Sequence, residues 1–371
     1  MGSKTSWREV DVLVVGAGSA GATAALNLAP TRQVAVVDLR SDPLARIGES
    51  LPPAARRLLS DMGLWESFQA EGHSPWYGNR ARWGTTAPFE TDFLRDPDGH
   101  GWHLDRARFE VWLRGIAVDR GAALLAPARL KSIHREGERW RALLETATGS
   151  VDLAAHLVID AGGRAAPVAH CLGARRQVQD RLVCGYLYGT VTAPGRGAGF
   201  TYIEAAEDGW WYTAPVPGGR RVLAFHTDAD LPEARLAANP KSLLECAAAH
   251  RDLAAVLSES CFTPTGQFGF TAAHSAVLQP VAGPRWFGAG DAALSFDPLS
   301  AQGLLNALFT GLAASEAADR YLSGGREALP EYLHTLQRVQ EAYRRHLIHW
   351  YGAETRWSNS LFWQRRQSML S

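Results

Sequence analysis

A strand that runs into a glycine turn with GxGxxG spacing constrains the fold of this chain more than any other feature. Val10 to Val15 is a short apolar run rich in β-branched residues. Such a run is typical of a parallel strand buried on both faces. Gly16, Gly18 and Gly21 follow directly. In this pattern the first glycine permits the tight turn, the second lets backbone approach a pyrophosphate, and the third lets the next helix pack close to the strand.

The residues behind the glycines complete a strand–helix–strand unit. Ala22 to Ala29 predicts a helix of small residues, and Val34 to Val37 predicts a second strand that ends at Asp38. The N-terminus of the helix offers free N–H groups and a positive dipole to phosphates, and an acid about 20 residues beyond the glycines can bind a ribose hydroxyl. The unit predicts a dinucleotide site, but alone it does not distinguish NAD from FAD.

Composition narrows the class of protein. The chain has 371 residues, of which 46% are hydrophobic, enough for one large or two interleaved domains. Lys+Arg and Asp+Glu both count 38, so the balanced charge gives no reason to expect nucleic acid as a partner. The four cysteines have no metal-ligand spacing, and we expect no metal site. No apolar run approaches the ~18 residues of a membrane span, and the polar N-terminus lacks a signal-peptide core. We expect a cytoplasmic protein.

A second informative stretch, GDAALSFDPLSAQGLLNAL, begins at Gly290. The apolar residues before it predict a short strand that leads into the dinucleotide site. Asp291 then lies where its carboxylate can hold a second sugar or a ribityl hydroxyl. Pro298 favours an extended end to the loop that follows. The stretch therefore predicts a second ligand-binding segment.

A helix is predicted directly behind this loop, from Leu304 to Ala314. Gln302 and Gly303 lie in the turn that begins it. The exposed N–H groups at such a helix start suit the electron-rich pyrimidine end of an isoalloxazine, which becomes negative on reduction. This feature favours FAD over NAD.

These motifs together resemble FAD-dependent enzymes of the glutathione-reductase type. The closest resemblance is to the aromatic hydroxylases (class A flavoprotein monooxygenases) and the related flavin-dependent halogenases. It is carried by GxGxxG, by Asp160-Ala161-Gly162-Gly163-Arg164 and by the late GD…DP motif. The resemblance implies an α/β fold, with a glutathione-reductase-type FAD-binding (Rossmann-like) domain, an inserted antiparallel β-sheet substrate domain and a C-terminal helical tail.

Two further segments strengthen the resemblance and assign cofactor contacts. Gly48, Glu49 and Ser50, within GESLPP, resemble the loop that halogenases and their relatives lay against the flavin. The segment LDRARFE resembles the one whose first arginine, here Arg106, contacts FAD. The same resemblance implies that Pro298 lies over the flavin ring.

The coarse layout divides the chain into three parts. The FAD-binding domain is expected to comprise residues 1–70, 100–180 and 275–330. The substrate-binding domain is expected to comprise 71–99 and 181–274, and 331–371 are expected to form C-terminal helices. Alternating runs in the insert predict the strands Leu182–Thr192, Trp210–Ala214 and Arg221–Thr227.

The resemblance implies a monooxygenase that hydroxylates an aromatic ring, with indole or tryptophan favoured, through a flavin C4a-hydroperoxide. O2 would be the cosubstrate, and NADH, NADPH or a separate flavin reductase would supply electrons. Because the cofactor carries the difficult chemistry, no catalytic triad is required. The predicted pocket residues are Trp211, His226, Phe296 and Pro298. No catalytic base is identified, since His73, His103 and His226 are each more typical of packing or surface histidines.

Three alternatives differ in chemistry. A halogenase needs a lysine near the flavin, and the chain has none between Lys4 and Lys131. The halogenase WxWxIP signature is also altered here, to GWWYTAP at 209–215. A flavin-dependent reductase of prenyl chains has a similar late motif, but the insert carries indoles, histidines and arginines rather than an aliphatic lining. A small-molecule aromatic hydroxylase of secondary metabolism fits the same motifs.

Within the hydroxylases, the chain most resembles the small flavoproteins that mature tryptophylquinone enzymes. These act on lysine ε-oxidase, glycine oxidase or quinohemoprotein amine dehydrogenase. The features are the length, GESLPP, GWWYTAPVPGGRRVLAF, DPLSAQG and SLFWQRRQ. This subgroup implies that the substrate is a tryptophan in a partner polypeptide.

Overall fold

A computed structural model describes residues 9–193, 195 and 198–368. Its strands are β1 (Glu9–Val15), β2 (Val34–Val37), β3 (Ser50–Leu51), β4 (Ser74–Trp76), β5 (Gly78–Arg82), β6 (Phe89–Asp92), β7 (Gly101–His103), β8 (Ala123–Leu125), β9 (Ala128–Glu136), β10 (Arg139–Thr146), β11 (Gly149–Asp160), β12 (Arg175–Val178), β13 (Leu182–Thr190), β14 (Phe200–Ala206), β15 (Gly209–Val216), β16 (Arg220–Asp228), β17 (Thr263–Ala272), β18 (Ala276–Gln279), β19 (Ala282–Gly283), β20 (Trp286–Gly288) and β21 (Leu294–Ser295).

The helices are α1 (Ser19–Leu28), α2 (Ala55–Asp61), α3 (Trp65–Ala70), α4 (Arg106–Asp119), α5 (Pro167–Cys171), α6 (Glu233–Ala237), α7 (Pro240–Ala249), α8 (Arg251–Glu259), α9 (Gly303–Leu322), α10 (Ala328–Ala353) and α11 (Leu361–Gln367). Short 3₁₀ turns cover Gly163–Ala165, Gly290–Ala292 and Pro298–Ser300. In the part of the chain that the structure describes, none of these helices combines the length and the apolar character that crossing a membrane requires.

The first sheet has a parallel centre, as the N-terminal apolar runs predict. Its order is β19-β20-β11-β1-β2-β8, and β11, β1, β2 and β8 pair in parallel. The strand β1 is buried along most of its length because α1 and the hairpin of β9 and β10 cover different parts of the sheet. The glycine turn therefore lies at the carboxyl edge of a parallel sheet, the usual place for a ligand in α/β folds.

The second sheet has seven strands in the order β17-β13-β16-β15-β14-β5-β6. All pairs are antiparallel except β14 with β5. The three strands predicted between residues 182 and 227 are β13, β15 and β16, each within about two residues of its predicted bounds. Helices α6, α7 and α8 cover one face of this sheet. The mixed α/β fold with an FAD-binding part, several sheets and C-terminal helices is confirmed.

Helix α10 is attached to the first sheet and to the late motif by three tyrosines spaced along it. The hydroxyl of Tyr332 donates to the carbonyl of Gly288. Tyr343 and Tyr351 bond to Asp297, in the loop before α9. All three tyrosines are buried. The C-terminal helices therefore form part of the core.

Helix α11 is held by a buried ion pair. Arg366 donates to Asp228 at 2.9 Å, and both side chains are about 2% exposed or less. Arg365, on the same helix, reaches Asp228 at 2.8 Å and the more exposed Asp230 at 2.8 Å. Charges removed from water in this way are stable only while they are paired.

We therefore expect Asp228→Asn to destabilise the protein by about 3–5 kcal/mol, because it leaves the buried Arg366 without a full counter-charge. Asp230→Asn is the matched control: it removes the carboxylate that pairs with Arg365 and Arg181 at an exposed position, where the expected loss is about 0–1 kcal/mol. Urea unfolding measures both. Equal losses in the two variants would contradict a special role for the buried pair.

Candidate active site

The glycine turn is closed by backbone contacts that leave no room for side chains. Gly16 has φ +101°, and a Cβ on it would lie 2.3 Å from the carbonyl oxygen of Ala161. A Cβ on Gly21 would lie 1.8 Å from the carbonyl oxygen of Gly16. Gly18 is the N-cap of α1, and no side chain caps that helix. The first N–H groups of α1 are therefore available to an anion such as a pyrophosphate.

Asp38 lies at the end of β2, beside this turn. One carboxylate oxygen accepts the N–H of Ala17 at 2.7 Å, and the other accepts the N–H of Arg40 at 2.9 Å. The buried guanidinium of Arg114 lies 3.2 Å from the first oxygen and donates to the carbonyl of Ala17 at 2.8 Å. Asp38 thus orders the turn, and the oxygen bonded to Arg40 retains a lone pair that can accept a ribose hydroxyl.

Arg106, at the start of α4, joins the GES loop to a buried acid. Its guanidinium donates to the carbonyl of Gly48 at 2.6 Å and to Glu110 at 2.8 Å. Its Nε is buried without a partner among the described residues. An unpaired donor on a cation is suited to a phosphate or flavin oxygen, which fits the contact that the resemblance implies.

Glu110 was not identified from the sequence, although it lies four residues after Arg106, on the same helical face. Burial raises the pKa of this carboxyl, but the positive charges of Arg106 and Arg46 outweigh it and hold the pKa below its usual value. Arg46 is bonded to the same carboxylate oxygen. The pair of cations lies near Gly18, because the closest atom to a Cβ there would be a guanidinium nitrogen of Arg46, at 3.6 Å.

The late motif meets α1 at a close approach. Gly290 has φ +60°, and a Cβ on it would lie 2.7 Å from the Cβ of Ala20. Its N–H donates to Thr310 at 2.8 Å. The side chain of Asp291 is 44% exposed and lies 3.8 Å from Arg164 in the DAGGR segment. Asp291 therefore presents an accessible carboxylate at the same edge as the glycine turn.

Helix α9 contacts strand β3, which begins at Ser50 of the GES loop. Gln302 is the N-cap of this helix, Gly303 is its first residue, and no side chain caps it. Pro298 opens the 3₁₀ turn just before it. The helix behind the late motif and the GES loop are thus neighbours in the structure.

Asp297 fixes the loop that carries Pro298. Its N–H donates to the hydroxyl of Tyr343 at 2.9 Å, and its carboxylate accepts the hydroxyl of Tyr351 at 2.7 Å and the N–H of Leu299 at 2.9 Å. Burial, with a small addition from the charge of Asp180, raises the pKa of Asp297 to about 7. Sequence reasoning missed this residue because its partners lie in helix α10, far along the chain.

The structure separates the predicted pocket residues. Trp211 points to the helix-covered face of the second sheet, where its ring packs on Phe225 at 4.5 Å. The expectation that Trp211 faces the flavin is corrected, because side chains alternate along β15 and the strand register gives that face to Trp210 and Tyr212. Phe296 is buried against Tyr343, with ring centroids 4.3 Å apart.

His226 shares a face with Trp210 and stacks on it, with ring centroids 3.6 Å apart. Neither ring nitrogen has a partner among the described residues, and burial lowers the pKa of His226 to about 3. His103 is buried as well, bonds to Thr201 at 2.9 Å and has its pKa lowered by burial to about 3. Both imidazoles are neutral packing groups.

Three tyrosines lie on the face of the second sheet opposite to Trp211. Tyr186, Tyr188 and Tyr212 pack together with Ile47, which precedes the GES loop. Tyr186 and Tyr212 are partly exposed. We call Tyr186, Tyr188 and Tyr212 the tyrosine wall. In the sequence, the alternation within GWWYTAP places Trp210 and Tyr212 on one face of the strand and Trp211 on the other, without showing which face carries the tyrosine wall.

Comparisons with known proteins agree with this geometry. The family described as FAD binding domain matches residues 9–309. LodB of Marinomonas mediterranea, a putative FAD-dependent oxidoreductase, is 28% identical over 364 residues, 96% of this chain and 97% of LodB. The flavin-dependent halogenase CmlS is 25% identical with a TM-score of 0.84, over 96% of this chain and 67% of CmlS. QhpG, a peptidyl tryptophan dihydroxylase essential for tryptophylquinone cofactor biogenesis, is 24% identical with a TM-score of 0.74, over 97% of this chain and 79% of QhpG.

The fold and the site define a flavoprotein, and the chain belongs to the FAD binding domain family. It is an FAD-dependent oxidoreductase. The uncapped starts of α1 and α9, together with the unpaired Nε of Arg106, fit the two charged parts of FAD. The expectation of FAD rather than NAD is thereby confirmed.

We expect Asp291→Ala to weaken FAD binding roughly tenfold or more while the fold is retained, because it removes a charged hydrogen-bond acceptor from an exposed position. Asp61→Ala, at the exposed end of α2, is the control. Fluorescence titration of the apoprotein with FAD, with a thermal melt alongside, measures the effect. Unchanged FAD affinity in Asp291→Ala would contradict the assignment.

We also expect Asp297 to lower the free energy of unfolding of the protein as pH rises from about 4 to about 7. Over this range Asp297 is protonated in the folded protein and ionised in the unfolded chain. Its pKa is about 7 in the folded protein, whereas the ordinary pKa of an aspartate is 3.8. Asp297→Asn removes this titration. It should reduce the change in the free energy of unfolding between about pH 4 and pH 7 by on the order of 3 kcal/mol. Urea unfolding at several pH values tests this, with Asp61→Asn as control. Parallel profiles for Asp297→Asn and the wild type would disprove it.

Proposed function

We propose that the protein is an FAD-dependent monooxygenase that hydroxylates an indole ring, and that this ring belongs to a tryptophan in a partner polypeptide during tryptophylquinone cofactor biogenesis. The observation that carries the proposal is the tyrosine wall, which stands beside the GES loop. Aromatic faces and edges bind an indole while leaving its reactive carbons open.

Each group at this site has a task in such a reaction. FAD, reduced by NADH, NADPH or a separate flavin reductase, would supply the oxygen chemistry with O2 as cosubstrate. The N–H groups at the start of α9 would hold the pyrimidine end of the flavin, and Arg106 and Asp291 would hold its pyrophosphate and ribityl parts. The tyrosine wall would orient the indole and exclude water from it.

The positions of the lysines argue against halogenation, although halogenases share the fold. Lys131 lies on β9 and pairs with Glu145 at 3.2 Å, and Lys241 lies on α7 with its side chain 86% exposed. Neither belongs to the tyrosine wall, and Lys4 lies outside the described residues. Arginine does not substitute, because it offers no free amine to carry halogen.

The similarity to QhpG supports a polypeptide substrate. The match to LodB spans nearly the whole of both proteins, whereas the match to CmlS leaves a third of that halogenase uncovered. QhpG, whose fold is similar, is described as acting on peptidyl tryptophan. Free indoles and other small aromatics are the alternative substrates, and the experiment below separates them.

We expect the FAD-loaded enzyme with NADH, NADPH or a flavin reductase to add one oxygen atom to a tryptophan-containing peptide. The oxygen should come from O2. Isotopically labelled O2 should therefore raise the mass of the product by the mass difference of the label. Mass spectrometry of the peptide, with free tryptophan and indole assayed in parallel, measures this and shows which substrate class is preferred.

Two controls define the result. A peptide with phenylalanine in place of tryptophan should remain unmodified, and added bromide should give no brominated product. If free indole is the preferred substrate, the polypeptide substrate is wrong and the enzyme acts on a small molecule. A brominated product, or consumption of reductant without oxygen transfer to any of the indoles, would contradict the monooxygenase assignment.

A further inference from the structure

A buried carboxylate stands directly behind the tyrosine wall. The hydroxyl of Tyr212 donates to one carboxylate oxygen of Glu49 at 2.9 Å, and the other oxygen accepts the N–H of Gly48 at 2.7 Å. The Tyr212 oxygen also lies 3.0 Å from Oγ of Ser50. Because Tyr212 gives its own proton to Glu49, the serine hydroxyl is the donor in that third bond.

The two partners differ in their access to the site. Glu49 is 1% exposed, so that no substrate can touch it without passing Tyr212. Tyr212 is partly exposed on the face that packs with Ile47 and Tyr186. The pair therefore connects a partly exposed tyrosine to a buried carboxylate by one hydrogen bond.

The electrostatics of the pair suit proton transfer. Burial raises the pKa of Glu49, although the hydrogen bonds from Tyr212 and Gly48 oppose this. Burial and the nearby charge of Glu49 raise the pKa of the Tyr212 phenol. A carboxylate with a raised pKa accepts a proton more readily, and a phenol that resists ionisation transmits a proton only by receiving another.

We propose that Tyr212 and Glu49 form the base that completes hydroxylation of the ring. This inference rests on the proposed function. Once oxygen has been added, the attacked ring carbon still bears its hydrogen and the ring carries a positive charge. The C–H bond then breaks and its electron pair restores the aromatic ring. The proton passes to the oxygen of Tyr212 as the proton of Tyr212 passes to Glu49, with no further oxidation or reduction.

The chain offers a matched control on the other face of the same sheet. Tyr202 donates to Glu204 at 2.6 Å, and both lie with Trp211 on the face that α6, α7 and α8 cover. Tyr202→Phe therefore removes the same type of hydrogen bond, from a tyrosine to a buried glutamate, but away from the tyrosine wall.

The experiment uses the FAD-loaded enzyme and a tryptophan peptide whose indole carbons carry deuterium. In the wild type and in Tyr202→Phe, we expect equal hydroxylation of the light and heavy peptides. In Tyr212→Phe and Glu49→Gln, product formation should fall by about 10²-fold, a typical loss for a missing base. A primary deuterium isotope effect should also appear, because loss of the ring proton becomes the slow step. In Tyr212→Phe, the FAD content, read from the flavin absorbance, should stay at the wild-type level.

The outcomes separate the two proposals. If the wild type hydroxylates the peptide and Tyr212→Phe behaves like Tyr202→Phe without an isotope effect, the base assignment is wrong and the proposed function stands. A loss of product in Tyr212→Phe and Glu49→Gln with no isotope effect, or together with loss of FAD, would show that the pair is structural. If the wild type hydroxylates no indole, the proposed function is wrong, and the assignment of Tyr212 and Glu49 as its base is wrong with it.

Discussion

The contact between α1 and α9 is the constraint on which the rest of the site depends. A Cβ on Gly311 would lie 2.4 Å from the carbonyl oxygen of Ala20, and one on Gly290 would meet the methyl group of the same alanine. Only glycines let these segments approach so closely. The approach brings a turn near residue 16 and a turn near residue 290 to one edge of the first sheet. We propose that each uncapped helix start faces a different part of FAD.

Much of this arrangement could be predicted from the sequence, for a physical reason. A strand buried on both faces, a tight turn and a closely packed helix each require particular residues at fixed spacings, so β1, α1 and β2 can be read from local patterns. The late motif is equally local. The fold class and the identity of the cofactor followed from these patterns.

The face of strand β15 could not be predicted in the same way. Alternation reveals a strand's orientation when one face is polar, but both faces of the second sheet are buried, and Trp210, Trp211 and Tyr212 are all aromatic. The covering helices α6 to α8 decide which face is inside, and nothing in the strand itself records their position. Glu110 and Asp297 were not predicted, because their contacts involve partners that only folding brings close to them.

The hydrogen bonds to Asp297 also have a consequence for the order in which the protein is assembled. The strand–helix–strand unit near the N-terminus packs against partners that extend no further along the chain than helix α9. The loop that carries Pro298 acquires its partners only from Tyr343 and Tyr351, and the helix behind them is held by Arg366. During synthesis, the partners of the glycine turn are therefore available before those of the loop that carries Pro298. The hydrogen bonds of Asp297 to Tyr343 and Tyr351 can form only after the ribosome has released these two residues.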